Sequence, residues 1–574
     1  AILLAIEYLR PATAGEPGKS KDWIRTVFEW LLALSAVSLA VSSAFSERPG
    51  LSWFGGNWRQ FGAIEQCGVL AFAWLTMRTT AARPDQLRVL LRGLSATACL
   101  VAVYGICQYF GWDPLLDRTA YHIGEGTWTI VRPPGTLGYV SYYATYLVIQ
   151  VFLCGLHARV EIARWWRWLA RVGIALCVAA ALLSGTRAAV LALAVGGGVV
   201  LICRDWRPNR RVMVVAAALA VTAAGFYFSP AGWNLRSRVR WFREDAWGGA
   251  RLLLWRDSLA MAAHRPIAGF GPEVFLGTFP HYESRALASA YPDFAHESPH
   301  NILLDAFVAQ GVPGLTAILG FCVLGIVMTR RVHAQDHAAA GALGAALAAG
   351  FTSQQFTAFT IPTALMFFVS LAIAAAYSCD APQPHRRRYR VPALTAAAVL
   401  ALVAIRLCVA DHSLALARRA LDARDLRAAS DAYRSYRELR LPGASTDLWY
   451  SRAVIAVTTS EVDPVARLRW FEEGRQAAIR ATTSAEDPFD AWYNAAVYES
   501  ARNDPAATGH CLRMAIQAHP NWFKPHWTLA QLLVLSGRAG AAEREAALAV
   551  ALDGGRHPEV GRTLTALRAS ALHK

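Results

Sequence analysis

Residues 296–315 have the sequence HESPHNILLDAFVAQGVPGL, and the first five fit H-E-x-x-H, the zinc-protease pattern in which one helix carries both histidines. Pro299 stands at the fourth position, and a proline inside a helix removes a backbone hydrogen bond and costs about 3 kcal/mol. The Ser298-Pro299 pair instead predicts a helix start, with Ser298 as N-cap and Pro299 as the first helical residue. The two histidines then do not share a helical face, and we expect no metal site here.

The residues on the two sides of Pro299 therefore have different environments. We expect His296 and Glu297 in a loop and His300 in the first turn of the helix. The apolar run that follows, near 301–328, is longer than the roughly 20 residues that cross a hydrocarbon core. This stretch thus predicts a junction between a loop and a membrane-spanning helix.

The whole chain has the composition of a membrane protein. Of its 574 residues, 55% are hydrophobic and 17% are charged, which is too apolar for an ordinary soluble protein. The opening AILLAIEYLRP is too short to span a bilayer and lacks the pattern of a complete signal peptide. We predict an all-α fold, a polytopic transmembrane helical bundle of about 11 to 12 spans. Eleven apolar runs support it, near 24–45, 60–78, 90–110, 136–157, 168–184, 186–203, 211–229, 301–328, 337–357, 360–378 and 392–410.

The basic residues predict which side of the membrane each loop faces. Lysine occurs at only four positions, so 53 of the 57 basic residues are arginine. Alternate short loops hold 22 Lys and Arg in one set and five in the other, and cytoplasmic loops carry the excess. We therefore expect the second set, the segment 230–299 and everything after 410 to face outward. The five outward residues are Arg48, Arg59, Arg118, Arg132 and Arg187.

From residue 411 the sequence becomes polar, rich in alanine and helical in period. AWYNAAVYESARNDPAATGHCLRMAIQAHP from Ala491 aligns with HWTLAQLLVLSGRAGAAEREAALAVAL from His526, so that Trp492 falls on Trp527. The offset of 35 residues resembles tetratricopeptide repeats, in which small and aromatic residues let paired helices interlock. An unrelated helical bundle is the alternative. The ten cysteines are scattered without a C-x-x-C pair and predict neither a disulfide framework nor a zinc ribbon.

Several outward arginines lie beside aromatic or small residues. Arg132 precedes a span that begins with tyrosines, and Arg187 lies in the short turn SGTRAAV between two spans. Arg251 and Arg256 lie with Trp255 on a predicted amphipathic helix. A charge that is buried near the bilayer surface is costly and often functional, although interfacial anchoring is the alternative for each arginine. Together these residues predict an outward cationic pocket walled by aromatic side chains.

The order of these motifs resembles the O-antigen ligase and polymerase superfamily of integral membrane glycosyltransferases. The pieces are R-x-x-G at 132–135, S-x-[ST]-R at 184–187, R-x-x-x-W with P-x-x-G-x-G within 251–271, and H-N-x-x-L with G-x-x-G-L within 300–315. The resemblance covers roughly residues 24–410. It implies a transmembrane glycosyltransferase domain at 1–410, including the large periplasmic loop 230–299. The repeat pattern and the outward orientation predict a periplasmic, tetratricopeptide-like helical solenoid at 411–574, which family members that act on a lipid A core need not have.

The resemblance also implies a reaction at the periplasmic face of a bacterial inner membrane. Such enzymes pass a glycan from an undecaprenyl diphosphate carrier to an acceptor hydroxyl, with inversion and without a metal or other cofactor. It implies that His300 takes the proton of the acceptor and that Arg187 and Arg251 bind the diphosphate. An imidazole with an ordinary pKa of about 6.5 suits proton removal near neutral pH, and fixed cations stabilise a leaving diphosphate. Further candidates for the site are Arg132, Arg256, Trp255 and His296.

The acceptor stays open among three: a lipid A core, a second carrier-linked glycan, and a protein hydroxyl. The outward repeats favour a periplasmic protein partner, because solenoids present concave binding surfaces. Phospholipid surrounds the spans, and no nucleic-acid partner is expected. Two rivals from other classes are a glycan transporter, which would have charged or broken helices near mid-membrane, and a non-catalytic envelope scaffold.

Overall fold

Long helices make up most of the described chain. The computed structural model describes residues 23–57, 59–82, 84–123, 130–203, 221, 224–244, 249, 251–379 and 390–572. These residues fall into two compact units. Unit 1 takes the described parts of Ala1–Val41, Ile64–Arg251 and Pro299–Pro384, and unit 2 takes those of Ser42–Ala63, Leu252–Ser298 and His385–Lys574.

The α-helices that precede residue 384 include all the long apolar helices of unit 1, together with several helices of unit 2. They are α1 (Trp23–Ala44), α2 (Pro49–Phe54), α3 (Ala63–Ala82), α4 (Pro84–Tyr109), α5 (Val140–Val160), α6 (Arg164–Leu183), α7 (Arg187–Cys203), α8 (Trp233–Glu244), α9 (Arg251–His264), α10 (Phe275–Thr278), α11 (Arg285–Ala290), α12 (Ile302–His333), α13 (His337–Ser353) and α14 (Ile361–Ser378). A short antiparallel ribbon, His122–Ile123 with Ile130–Val131, lies between α4 and α5.

Six of these helices are long and apolar enough to cross a membrane, namely α1, α4, α5, α6, α12 and α14. The shorter α7 is apolar as well. The prediction of a helical, multi-pass membrane protein is confirmed to this extent, whereas the predicted count of 11 to 12 spans is not. The predicted span at 211–229 lies largely outside the described residues.

Helix α5 lies in the core of unit 1, with most of its side chains fully buried. The alanine- and glycine-rich α13 approaches its neighbours closely, because small residues allow backbones to come together in a membrane. Gly341 near the start of α13 contacts Cys203 at the end of α7, and Gly344 contacts Val199 one turn earlier in α7. The two helices are therefore antiparallel, and the first turn of α7 lies at the same end of unit 1 as the last turn of α13.

Helix α12 is broken near its beginning. Gly311 has φ of 66° and ψ of −159°, a conformation that essentially only glycine adopts. Pro313 follows two residues later and cannot donate a backbone hydrogen bond. The predicted span at 301–328 is thus a longer helix that reaches His333 and contains a kink.

The helices of the C-terminal part of unit 2 follow one another as antiparallel neighbours. They are α15 (Arg390–Asp422), α16 (Leu426–Leu439), α17 (Asp447–Thr459), α18 (Pro464–Ser484), α19 (Pro488–Ala501), α20 (Pro505–Ala518), α21 (Phe523–Leu535), α22 (Ala539–Asp553) and α23 (Pro558–Leu572). The main contacts pair α15 with α16, α17 with α18, α19 with α20, and α21 with α22. Since α15 is continuous through residue 410, the predicted domain boundary falls inside a helix.

The sequence alignment at an offset of 35 residues corresponds to two successive helix pairs. Helix α19 begins at Pro488 and α21 begins 35 residues later at Phe523. The aligned residues Ala495 and Ala530 are both buried, at 3% and 0% exposure. The helices therefore repeat as the alignment requires, while their assignment to the tetratricopeptide family stays a prediction.

Two segments that are distant in sequence pack with these helices inside unit 2. The Arg48 guanidinium donates to the backbone oxygen of Glu486 at 2.8 Å. Glu283 and His519, 236 residues apart, form a hydrogen bond of 2.6 Å between Oε2 and Nε2. Unit 2 is thus made of the helical repeats together with residues from 42–63 and 252–298.

Candidate functional site

His300 lies in a left-handed turn immediately before α12. Its φ is 51°, a region that costs a non-glycine residue about 1–3 kcal/mol and is enriched at functional sites. The next residue, Asn301, is the N-cap of α12. Its Oδ1 accepts hydrogen bonds from the backbone N–H groups of Leu303 at 3.0 Å and Leu304 at 3.2 Å.

The predicted helix start at Ser298 and Pro299 was therefore wrong, and His300 precedes the helix instead of lying in its first turn. Ser298 is 1% exposed, and the helix begins at Ile302, where long-range contacts hold its first turn. His296 and Glu297 are loop residues, as predicted. None of the three H-E-x-x-H side chains lies on a helix.

A single turn at residues 353–356, the anchor turn, holds the start of α12. The backbone N–H of Ile302 donates to the backbone oxygen of Gln354 at 3.0 Å. Asn301 Nδ2 donates to Oε1 of Gln355 at 3.1 Å. The position of the His300 turn is thus set by residues that lie about fifty positions further along the chain.

The same anchor turn contacts Arg251. The guanidinium carbon of Arg251 lies 5.7 Å from the centroid of the Phe356 ring, a distance typical of a cation–π contact. Arg251 and the His300 turn therefore share one structural support within unit 1, although 49 residues separate them in sequence.

Buried polar atoms surround the anchor turn. Ser353 Oγ and Thr145 Oγ1 lie 2.6 Å apart and join α13 to α5. Among the described residues, the side-chain amide atoms of Gln354 and the hydroxyl of Thr357 are buried without a hydrogen-bond partner. An unsatisfied buried polar group costs about 1–3 kcal/mol, so each of these atoms destabilises the fold until it gains a partner.

Arg187 is the first residue of α7 and follows a tight turn. Gly185 has φ of 60°, and the backbone N–H of Thr186 donates to Ser184 Oγ at 3.3 Å. Ser184 and Thr186 are buried, whereas Arg187 is half-buried. Because α7 runs antiparallel to α13, Arg187 lies at the same end of unit 1 as the anchor turn.

Arg132 follows the β ribbon and precedes α5. Its guanidinium carbon lies 5.9 Å from the centroid of the Tyr139 ring, and its Nε is buried without a partner among the described residues. Helix α5 starts at this same end, because Thr145 in its second turn contacts Ser353. The structure therefore brings Arg132, Arg187, Arg251 and His300 to one end of the unit 1 helices.

The remaining predicted candidates belong to unit 2. Arg256 is exposed and forms an ion pair with Asp257 at 2.8 Å, and it also donates to Ser284 Oγ at 2.7 Å. Trp255, its neighbour on α9, is half-buried. A role for either residue in binding phosphate or sugar stays a prediction, and Arg256 already has two partners within unit 2.

His296 is enclosed by aromatic rings within unit 2. The rings of Phe279, Tyr291 and Phe294 have centroids 6.0, 6.2 and 5.3 Å from its imidazole, all edge-on. Neither ring nitrogen has a partner among the described residues. Burial lowers the pKa of His296, which favours the neutral form.

Glu297 lines a cavity of about 120 Å³ in unit 2 together with Arg59, Glu273 and Glu486. Arg59 and Glu273 form a buried ion pair of 2.7 Å. Burial raises the pKa of Glu297 and of Glu486, because desolvation disfavours the charged carboxylate. In the described part of the chain, no group of three or more His, Cys, Asp or Glu residues is arranged to hold a metal ion.

Sequence reasoning missed Asn301 and the anchor turn. An asparagine directly before an apolar run is an N-cap signal, but Ser298 followed by Pro299 is a competing signal three residues earlier. The Gln354-Gln355 pair at the end of an apolar run was a signal for the anchor turn, because polar side chains at that position need hydrogen-bond partners.

Comparison with known protein families gives a match for the part of the chain that contains Arg187, Arg251 and His300. No curated protein matches the chain. Residues 172–319 match the family model described as O-Antigen ligase, and this range includes Arg187, Arg251 and His300 but not the anchor turn. The match supports a glycan-transferring membrane enzyme of polysaccharide biosynthesis. This match assigns an O-antigen ligase domain to residues 172–319 and supports the O-antigen ligase superfamily for the chain.

Proposed function

We propose that this protein transfers a glycan from an undecaprenyl diphosphate carrier to an acceptor hydroxyl at the periplasmic face of a bacterial inner membrane. The observation that carries the proposal is the shared anchor turn: it contacts Arg251 through Phe356 and holds the His300 turn through Asn301. A cation and a candidate base are thus supported together, inside a chain that contains an O-antigen ligase domain.

The proposed reaction is a displacement at the anomeric carbon of the donor glycan. His300 takes the proton of the acceptor hydroxyl as its oxygen attacks that carbon. The bond from the anomeric carbon to the diphosphate oxygen breaks, and the diphosphate leaves with the electron pair. Attack from the opposite side inverts the configuration of the anomeric carbon. This scheme needs no metal ion.

Arg187 and Arg251 have the chemistry to stabilise the leaving group. A guanidinium donates two parallel hydrogen bonds to a phosphate and keeps its charge at every relevant pH. Charge develops on the diphosphate as the bond breaks, and cations fixed in a partly dry site stabilise that charge more than water does. The rigid turn before Arg187 and the aromatic contact of Arg251 reduce the reorganisation that the reaction requires.

The acceptor defines three versions of the proposal. A lipid A core would make the protein an O-antigen ligase, and a second carrier-linked glycan would make it an O-antigen or exopolysaccharide polymerase. A protein hydroxyl would make it an O-oligosaccharyltransferase. The helical repeats of unit 2 support a protein partner, since stacked helix pairs form extended binding surfaces, but that partner need not be the acceptor.

The proposed base is tested best by His300→Asn. Asparagine tolerates the left-handed conformation that His300 adopts, so this variant removes the imidazole without adding backbone strain. General-base catalysis contributes about 10²–10⁴-fold, and we expect glycan transfer to fall by that factor. His281→Ala removes an exposed histidine elsewhere and serves as the control. Full transfer activity in the His300→Asn variant would show that His300 is not the base.

The acceptor is found by supplying the purified protein with a labelled undecaprenyl-diphosphate glycan. A lipid A core, a second carrier-linked glycan and a periplasmic protein are offered in turn, with and without a chelator. The product that gains the label identifies the acceptor, and loss of activity with chelator would contradict a metal-independent reaction. No labelled product with any acceptor, combined with label movement across vesicles, would favour the transporter.

A further inference from the structure

A cavity of about 280 Å³ lies within unit 2 and shares no lining residue with the carboxylate cavity that contains Glu297. One wall is the loop 292–295, which leads along the chain to His300 five residues later. The opposite wall comes from the helical repeats, mainly from α19 and from the segment 519–524 between α20 and α21. Its volume is near the lower limit of about 300 Å³ for small-molecule pockets, which suits one sugar residue of a longer glycan.

The wall formed by the repeats contains two aromatic rings. Phe489 and Trp522 meet edge to face with centroids 5.6 Å apart. Trp522 is only partly buried, whereas Phe489 is 4% exposed. An indole provides a large rigid apolar face with a polar edge, and that combination matches a sugar ring, whose C–H groups and hydroxyls lie on different sides.

The charged side chains of the cavity are already paired with one another. Arg452 and Asp490 form an ion pair of 2.5 Å, and Lys524 and Asp293 form one of 2.9 Å. The lining therefore has no excess positive charge for a phosphate and no excess negative charge for a cation. It does present both donors and acceptors in fixed positions, which is what a neutral ligand with several hydroxyls requires.

His519 adds a buried polar atom to the lining. Its side chain is 7% exposed, and its Nε2 lies 2.6 Å from a carboxylate oxygen of Glu283. When Nε2–H donates to that carboxylate, Nδ1 becomes an acceptor. Nδ1 is buried and has no partner among the described residues, and leaving such an atom unsatisfied costs about 1–3 kcal/mol. A hydroxyl in the cavity would remove that cost only after a small shift of the lining, because Nδ1 has almost no exposed surface in this structure.

We propose that this cavity binds one uncharged sugar residue of the glycan that the enzyme handles. The proposal rests on the proposed function for the source of the glycan, but binding of sugar in the cavity is independent of transfer. A peptide is the alternative ligand. The compact size of the cavity favours a sugar, because a peptide chain would need an extended groove.

The test uses the full-length protein in detergent and saturation-transfer NMR. The probes are methyl glycosides of glucose, galactose, rhamnose and N-acetylglucosamine. We expect at least one probe to receive saturation from the protein, which shows that it binds. The variants Trp522→Ala and Asp490→Asn should weaken the binding of that probe by tenfold or more. Trp449→Ala, which removes a partly exposed tryptophan outside the cavity, should bind as the unmodified protein does. Melting temperatures show whether each variant folds, and Trp522→Phe is the substitute if Trp522→Ala does not.

The outcomes separate this proposal from the proposed function. His300→Asn should lower transfer by about 10²–10⁴-fold and leave glycoside binding unchanged, whereas Trp522→Ala should raise the KM for the glycan with little change in kcat. Absence of glycoside binding, or binding that is the same in Trp522→Ala and Asp490→Asn, overturns the sugar site even if transfer is confirmed. Binding of a short Ser- and Thr-rich peptide that is lost in these variants, with no glycoside bound, overturns it in favour of a peptide site.

Discussion

Asn301 is the residue through which the anchor turn acts on His300, and its replacement gives the sharpest test of the site geometry. Its Oδ1 caps α12 through two backbone N–H groups, and its Nδ2 donates to Gln355 at 3.1 Å. Asn301→Ala removes both functions. Asn301→Ser keeps a good N-cap but is too short to reach Gln355, so the two variants separate the cap from the tether.

The hydrogen bonds of Asn301 set the expected loss of stability in each variant. Loss of an N-cap costs about 0.5–2 kcal/mol, and loss of one side-chain hydrogen bond costs about 0.5–1.5 kcal/mol. We expect Asn301→Ala to lose about 1–3.5 kcal/mol of stability in total, as the sum of these two effects. Asn301→Ser should lose only the tether contribution, about 0.5–1.5 kcal/mol.

The effect on transfer should not follow the effect on stability. Both variants remove the Asn301–Gln355 hydrogen bond and leave only the backbone hydrogen bond from Ile302 to Gln354, and a displacement of His300 by about 1 Å can lower a rate by up to 10²-fold. We therefore expect kcat to fall by about 10- to 100-fold in both variants, with KM little changed. The pH dependence of kcat should keep its shape, because the imidazole is still present.

The assay is transfer of labelled glycan at several pH values, with thermal unfolding followed by tryptophan fluorescence. Gln355→Ala is the matched variant, since it removes the same hydrogen bond from the other side and leaves the cap intact. If Asn301→Ser and Gln355→Ala kept full kcat while Asn301→Ala lost it, the cap alone would matter. The proposed role of the anchor turn would then be wrong.

Three further predictions concern stability. Gly311→Ala should destabilise the protein by about 1–3 kcal/mol, because alanine does not adopt φ of 66° with ψ of −159° without strain; thermal unfolding in detergent measures this. Burial raises the pKa of Asp487 to about 8, above about 3.9 in the unfolded chain. The folded state then binds the proton more tightly, so stability falls as pH rises from about 4 to about 8, and Asp487→Asn should weaken this dependence of the melting temperature, to which Glu297 and Glu486 also contribute. Tyr450→Ala, which removes a fully buried ring stacked 3.8 Å from Tyr433, should cost about 3–5 kcal/mol, seen as an early unfolding step of unit 2.

Local patterns in the sequence predicted the helices well. Apolar runs of membrane length and the repeat at an offset of 35 residues are visible directly in the sequence, and where the structure describes them both correspond to helices. The break in α12 also had a local signal, because Gly311 and Pro313 interrupt an apolar run. Treating 301–328 as one uninterrupted span gave that signal too little weight.

Local patterns in the sequence could not predict the contacts between distant segments. The hydrogen bond between Glu283 and His519 joins residues 236 positions apart, and nothing in either segment alone indicates it. For the same reason, residues 42–63 and 252–298 were assigned from sequence to the single domain 1–410. In the structure they pack with the C-terminal helices in unit 2.

The helix start at Ile302 depends both on local sequence signals and on contacts between distant segments. A histidine in the first turn of α12 would be positioned by that helix alone. His300 instead lies before the cap, in a left-handed turn, so the cap, the anchor turn and the preceding loop all determine where its imidazole lies. Mutations at residues 353–356 should therefore alter the rate of transfer, even though the family match at 172–319 does not reach them. A site defined by the matched motif alone would omit the part of the structure that holds the proposed base in place.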